Sequence, residues 1–200
     1  SFPAISAMPP TAGAAIGPAP PSGAGFAQHA AIAYCAQEPW IQNATLRENI
    51  LFQSAETVTA ASQNGKAAAG DDARELLSPV DETLFRRCVR ASELQPDIRI
   101  LPNGIDTEIG DRGVNLSGGQ KARVAISRAL YRTLRYNLEL IVLDDCFSAL
   151  DPHVGLTIFR RLLLELLHDR TRIVVLNSQM HLLEHFDRIV AVEDGKIAIN

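Results

Sequence analysis

An α/β layer fold with a mainly parallel sheet is what this 200-residue chain predicts, and two observations carry that expectation. Short runs of β-branched and apolar residues alternate with segments whose apolar residues recur at helical spacing. The clearest run, Leu138 to Leu143 (LELIVL), is apolar on both parities, the pattern of a strand covered on both faces.

The first 30 residues are Ala, Gly and Pro with almost no charge, and the repeated prolines (Pro9-Pro10, Pro18, Pro20-Pro21) stop helix and central strand alike. Residues 1–30 are therefore expected to be disordered, and 31–200 to form the domain. A second small-residue patch at about 53–77 reads as a surface insertion, because it could bury too little surface to offset its ordering entropy. Ala31 to Cys35 is a short strand-like run, and Thr45 to Phe52 begins a helix. Ser78-Pro79-Val80-Asp81 has the form of a capping box, with Val80, Leu84, Cys88 and Ala91 on one helical face as far as about Leu94, before Pro96. After LELIVL, Asp151-Pro152 starts a helix with Leu156, Phe159, Leu163 and Leu166 as its core stripe. Arg172 to Leu176 is a further buried-type strand, and Arg188 to Val192 pairs with Lys196 to Ile199 around Glu193-Asp194-Gly195 as a hairpin.

Composition excludes several classes. With 46% apolar and 21% charged residues the chain is neither collagen, mucin nor wholly disordered, and a net charge of −4 supplies no basic field for nucleic acid. Cys35, Cys88 and Cys146 are odd in number and lack metal-ligand spacing, so they read as ordinary buried thiols of a reducing compartment. No apolar run reaches the roughly 18 residues needed to cross a bilayer. The chain opens on Ser1 rather than Met, and its first stretch has neither the basic start nor the apolar core of a signal peptide, so the expectation is a piece of something longer.

Two motifs carry chemistry. In Leu116-Ser117-Gly118-Gly119-Gln120 the serine can cap a helix while the two glycines let a ligand approach the backbone, aiming free N–H groups and the helix dipole at an anion. Taken alone it reads first as a capped helix after a glycine turn. One helix and one strand later, Asp144-Asp145 ends LELIVL at the carboxyl end of a predicted parallel strand, where α/β sheets bind ligands and where Mg²⁺ finds hard oxygen donors. A second acid there can orient or deprotonate a water; the plain alternative is a solvated acidic turn.

Their order, completed by Ser148-Ala149-Leu150-Asp151, resembles the nucleotide-binding domain of ABC transporters: LSGGQ as signature, LIVLDD as Walker B, SALD as D-loop. AYCAQEPWIQNATLRENILF is similar to the Q-loop region of the C-type, multidrug-resistance-protein-like exporters, ILPNGIDTEIGDRGVNLSGGQKARV to their approach to the signature, and RIVAVEDGKI to the closing strand pair. The likeness covers about residues 31–52 and 79–200. It implies a P-loop NTPase-like ATPase domain with a helical signature subdomain, working with ATP and Mg²⁺ on the cytosolic face of a membrane. The partners it implies are transmembrane domains and a second nucleotide-binding domain docked head to tail, with no nucleic acid. By the same resemblance Gln37 is the Q-loop residue near Mg²⁺, and Ser117, Gly118, Gly119 and Gln120 touch ATP held by the partner. Asp144 supports Mg²⁺, Asp145 stands at the catalytic-carboxylate position and Asp151 reaches across the dimer, unless it only caps its helix. Aspartate at 145, where hydrolysing domains carry glutamate, points to the first of two domains.

The chain also departs from that pattern. No GxxxxGK[ST] loop occurs in it, and Asn64-Gly65-Lys66-Ala67 lacks the first glycine and the hydroxyl and follows the Q-loop region. Ser178 stands where relatives carry the switch histidine, and His181 on the next helix reads as a surface or core-edge residue. Asp145 is one C–C bond, ~1.5 Å, shorter than glutamate, and a lost base lowers a rate by roughly 10²–10⁴-fold. The expectation is a silent own site with a signature that works in trans. The alternatives are a non-catalytic regulatory or vestigial module and, remotely, a DNA-repair or chromosome ABC ATPase. The family sheet has strands preceding position 31 that are not visible here, so an open sheet edge and poor solubility in isolation are also expected.

Overall fold

The computed structural model describes residues 32–52, 80–110 and 114–199. The low-complexity stretch 1–30 and the insertion at 53–77 lie outside the described residues. Strand β1 (Ile32–Cys35) comes first, and the short β2 (Ala44–Thr45) leads into α1 (Leu46–Leu51). Thr45 caps α1 by accepting the Glu48 N–H at 3.1 Å, while the Glu48 carboxylate accepts the Thr45 N–H at 2.9 Å. The helix closes on Phe52, whose backbone is left-handed at φ 58°.

Helix α2 (Glu82–Ala91) is capped by Asp81, which accepts the Leu84 N–H at 2.9 Å. The expected start at Ser78-Pro79 is corrected to this point, and those two residues lie outside the described ones. The expected end near Leu94 is also corrected. The helix stops at Ala91, Glu93 turns the chain at φ 52°, and Pro96 sits in the first turn of a separate helix, α3 (Gln95–Ile100). A proline lacks only an N–H that the first turn leaves unpaired anyway, so it starts a helix as readily as it ends one. Strand β3 (Glu108–Ile109) pairs antiparallel with β2.

The longest helix among the described residues, α4 (Gly118–Arg135), turns Ala122, Ile126, Ala129, Leu130 and Thr133 inward, a stripe at helical spacing. It leads to β4 (Leu140–Asp144), α5 (Pro152–Phe159) and β5 (Thr171–Val175). Beyond α5 the chain continues through Arg160–Leu166 as a wider π-type turn, which delivers the expected Leu163 to the core. The closing hairpin, β6 (Ala191–Glu193) and β7 (Lys196–Ile199), turns at Asp194-Gly195, both at positive φ. Its first strand is shorter than the expected Arg188 to Val192.

The main sheet runs β1–β4–β5, all parallel, with Cys35 beside Leu143 and Asp144 beside Val175. One face carries Ala33, Cys35, Ile141 and Leu143 into the core shared with α4, where Ile126 and Leu130 are fully buried. Each buried Ile or Leu among them contributes about 1.5–3 kcal/mol by leaving water. The opposite face is open over the flanking strands, with Ile32 52% exposed, Tyr34 58% and Ile173 49%, which corrects the expected buried type of β5, while Leu140 and Val142 of β4 are half-buried there. The apolar residues of both parities are present, but among the described residues only one parity is fully packed. The three cysteines are free and buried, as expected, with burial pushing the Cys88 thiol up to about 12.

Candidate functional site

Three turns converge at the carboxyl end of the parallel sheet. Asp144 is the last residue of β4, and Asp145 follows with a left-handed backbone, φ 46°, which aspartate tolerates better than most residues. Its N–H donates to Val175 O at 3.0 Å, so the turn is anchored to the neighbouring strand. The Asp145 carboxylate is buried at 4% exposure and accepts three N–H groups. Gln37 Nε2, from the turn after β1, reaches Oδ2 at 3.1 Å, and Asn177, just past β5, donates its backbone N–H to Oδ1 at 3.2 Å and its Nδ2 to Oδ2 at 3.1 Å. Such a carboxylate has most of its lone-pair positions occupied.

Asp144 is half-buried and accepts the Tyr34 hydroxyl at 2.8 Å, from the open face of the sheet. That bond to a carboxylate is the main reason the Tyr34 phenol sits above its ordinary pKa. Gln37 therefore pairs with Asp145 and not with Asp144. The oxygen set at hand, the Asp144 carboxylate and the Gln37 amide oxygen, fits a magnesium ion that takes most of its ligands from phosphate and water. Among the described residues no cluster of three His, Cys, Asp or Glu could hold a metal by itself.

The signature forms the cap of α4. Ser117 Oγ accepts the Gln120 N–H at 3.3 Å and Gln120 Oε1 accepts the Ser117 N–H at 2.9 Å, a capping box. Gly118 faces open space, and a Cβ on Gly119 would meet Ala149 O at 3.3 Å, so the signature lies against the D-loop segment. That segment is held by Ser148 Oγ on Asp145 O at 2.7 Å and by Gln179 Nε2 on Phe147 O at 2.7 Å. Gly155 leaves the room Gln179 needs, since a Cβ there would lie 2.8 Å from its Oε1. Asp151 caps α5, accepting the His153 N–H at 2.9 Å and the Val154 N–H at 3.4 Å.

Of the residues singled out from sequence, the fold brings together Gln37 and Asp145, and Ser117 with Gln120. Ser178 and His181 are exposed, and it is the neighbouring Asn177 that meets the acid. Sequence reasoning also missed Tyr34, which bonds Asp144, and Asp97, whose carboxylate accepts N–H groups of Gln120 and Arg123 on α4. Tyr34 carried one usable signal, a polar tip in an otherwise apolar strand pointing to the same side as Asp144. Asp97 carried none, since an acid after Pro96 reads as ordinary helix-start chemistry.

A capped Ser-Gly-Gly-Gln helix against the Ala149 segment, with an acid pair at the end of a parallel sheet, is compatible with the class of ABC-type ATPase domains. Comparison with known proteins places it: the chain carries a domain of the C-type ABC transporter family. It is 42% identical over 165 residues to the ABC-type transporter cicA of Emericella nidulans. It is 40% identical over 167 residues to human ATP-binding cassette sub-family C member 8, and 40% over 174 residues to ABC transporter C family member 8 of Dictyostelium discoideum. These matches cover 82%, 83% and 86% of the chain but only 10%, 9% and 9% of those proteins, so the chain spans about a tenth of their length. No protein-family model matches the chain. No described helix is long and apolar enough to cross a membrane.

Proposed function

We propose that this chain is the ATP-binding domain of a C-type ABC exporter, of the P-loop NTPase fold and the first of two such domains. In this reading its own acid pair does not hydrolyse ATP, and its signature completes the site of a second domain docked head to tail. The observation that carries the asymmetry is the state of the two motifs. Asp145 is engaged by three N–H donors, and the residue at the switch position is the exposed Ser178, while the signature is intact, capped and open at Gly118. A carboxylate used as an acceptor in this way is a poor base for a water it would have to meet with a free lone pair.

ATP with Mg²⁺ is the ligand this reading requires, with Asp144 and Gln37 beside the ion. The ion would supply charge neutralisation for the phosphates. Transmembrane domains would carry substrate selectivity, and the domain would sit at the cytosolic face. Asp151 has a cap role already; its reach across the dimer would use the carboxylate edge away from α5.

The test is Gly119→Asp in the two-domain transporter reconstituted in lipid, with ATP turnover as readout. A negative side chain at this position lies against Ala149 O and faces the incoming phosphate, so turnover falls to background while ATP still binds at the partner's pocket. Unchanged turnover would overturn the reading. The exposure of Ser178 also favours a second reading, a purely regulatory module, which predicts pairing with the second domain and no effect of Gly119→Asp on hydrolysis.

A further inference from the structure

We propose that Asp97 is a positioning residue for the signature: a buried carboxylate on α3 that sets the orientation of the first turn of α4. The inference rests on the reading that the signature acts on ATP held by a second domain. Asp97 is 8% exposed and accepts three N–H groups from α4: Arg123 Nε at 2.7 Å, Arg123 Nη2 at 2.9 Å and Gln120 Nε2 at 3.2 Å. Gln120 and Arg123 are three residues apart and so share one side of the helix. The two parallel bonds from a planar guanidinium fix direction as well as distance.

The chain of contacts continues outward. Gln120, held at its nitrogen by Asp97, uses its oxygen to hold the Ser117 N–H at 2.9 Å, and Ser117 in turn caps Gln120. Arg123, held by Asp97, places Nη1 3.4 Å from where a Gly119 Cβ would stand. Glycines 118 and 119 have no side chains to order their turn, and glycine is the residue with the most freedom to lose. Their neighbours on both sides are tied to one buried acid instead. Two consequences follow for the chemistry of the turn. The Gln120 side chain is engaged at both ends, at its nitrogen by Asp97 and at its oxygen by the Ser117 N–H, so what it supplies here is the orientation of the turn. What faces outward is the Gly118 and Gly119 backbone and the Ser117 hydroxyl proton, a neutral donor set suited to a phosphate oxygen.

Asp97→Asn keeps the shape but weakens the pair with Arg123, and two measurements read the result. In the 200-residue chain, amide exchange followed by NMR should rise on the order of tenfold at Ser117 and Gln120 and stay unchanged in the middle of α4. Leu130→Ala, which loosens the core of the same helix without touching the cluster, should raise exchange along all of α4. If Asp97→Asn gives that uniform pattern, or no change, Asp97 has a structural role only and the inference falls. In the reconstituted two-domain transporter, Asp97→Asn should lower kcat by about tenfold or more with KM for ATP within about twofold, because the partner's pocket is untouched. Gly119→Asp is measured alongside. Persisting turnover there overturns the trans reading, whereas loss there with normal kcat in Asp97→Asn overturns the role of Asp97 alone. Should Asp97→Asn fail to fold, Arg123→Lys, which keeps the charge but gives up the paired geometry, should show the same split at smaller size, and a normal kcat there counts equally against the proposal.

Discussion

The signature turn and the acid pair are built on different scales. The polar contacts of the signature span 3 residues within the cap and 23 to 26 residues to Asp97. Those of the acid pair reach across the chain, from Asp144 to Tyr34 over 110 residues, and from Asp145 to Gln37 over 108 and to Asn177 over 32. The first is one helix end braced by an adjoining helix; the second exists only where three turns from separate strands meet. A motif of the first kind needs only its own helix and the neighbour that braces it, and a motif of the second kind depends on the whole sheet being assembled.

Removing the central acid of each region should expose that contrast. Asp97→Ala leaves the Arg123 guanidinium buried without its partner, and losing one member of a buried pair is expected to lower stability by about 3–5 kcal/mol. Urea unfolding of the chain measures it, and a loss no larger than that of an average surface substitution would mean the brace is unimportant. Asp145→Ala is expected to lower stability less, by about 1–3 kcal/mol, since Gln37 and the exposed Asn177 can turn to water once their acceptor is gone. Asp145→Asn should lose less still, because asparagine tolerates the left-handed backbone there. A larger loss at Asp145 than at Asp97 would reverse the comparison.

The smallest effect concerns Tyr34, which lies on the open sheet face. Its phenol is held above the ordinary tyrosine value because Asp144 accepts its proton and disfavours a second negative charge beside it. Asp144→Asn removes that charge, so the ultraviolet titration of tyrosinate should show one tyrosine moving to lower pH. Tyr34→Phe should remove that transition and leave thermal unfolding unchanged. A Tyr34 midpoint indifferent to Asp144→Asn would show that the bond does not persist in solution.

How far the sequence could be read follows the same division. Local signals placed helices correctly where cap and apolar spacing agree, as at Thr45-Glu48, Ser117-Gln120 and Asp151. They misplaced the ends of α2, because Asp81 and Ser78 are equally good caps on paper and Pro96 can close one helix or open another. They also predicted two covered faces for β4, whose second face is only half-buried, and a buried type for β5, whose Ile173 and Val175 are exposed. The residues of β4 are apolar on both sides, but which side is packed depends on what lies above it, and that is not written in the strand. For the site, the motifs named the acids and the signature, while nothing local marks Asn177, whose role comes only from where β5 delivers it beside Asp145.

Residue order alone settled what is local: capping pairs, the apolar stripe of α4, the turn at Asp194-Gly195, and the linear motifs that mark the family. Each depends on neighbours within a few positions, where backbone geometry leaves one good solution. Tertiary structure alone decided which donors close on Asp145, that Gln37 chooses it over Asp144, and that Asp97 takes both Gln120 and Arg123. Several amides and guanidinium groups in the chain could satisfy a buried carboxylate equally well by chemistry. Only the packing of distant strands and helices brings particular ones within hydrogen-bond reach, and a buried charge then holds them there because leaving it unpaired is so unfavourable.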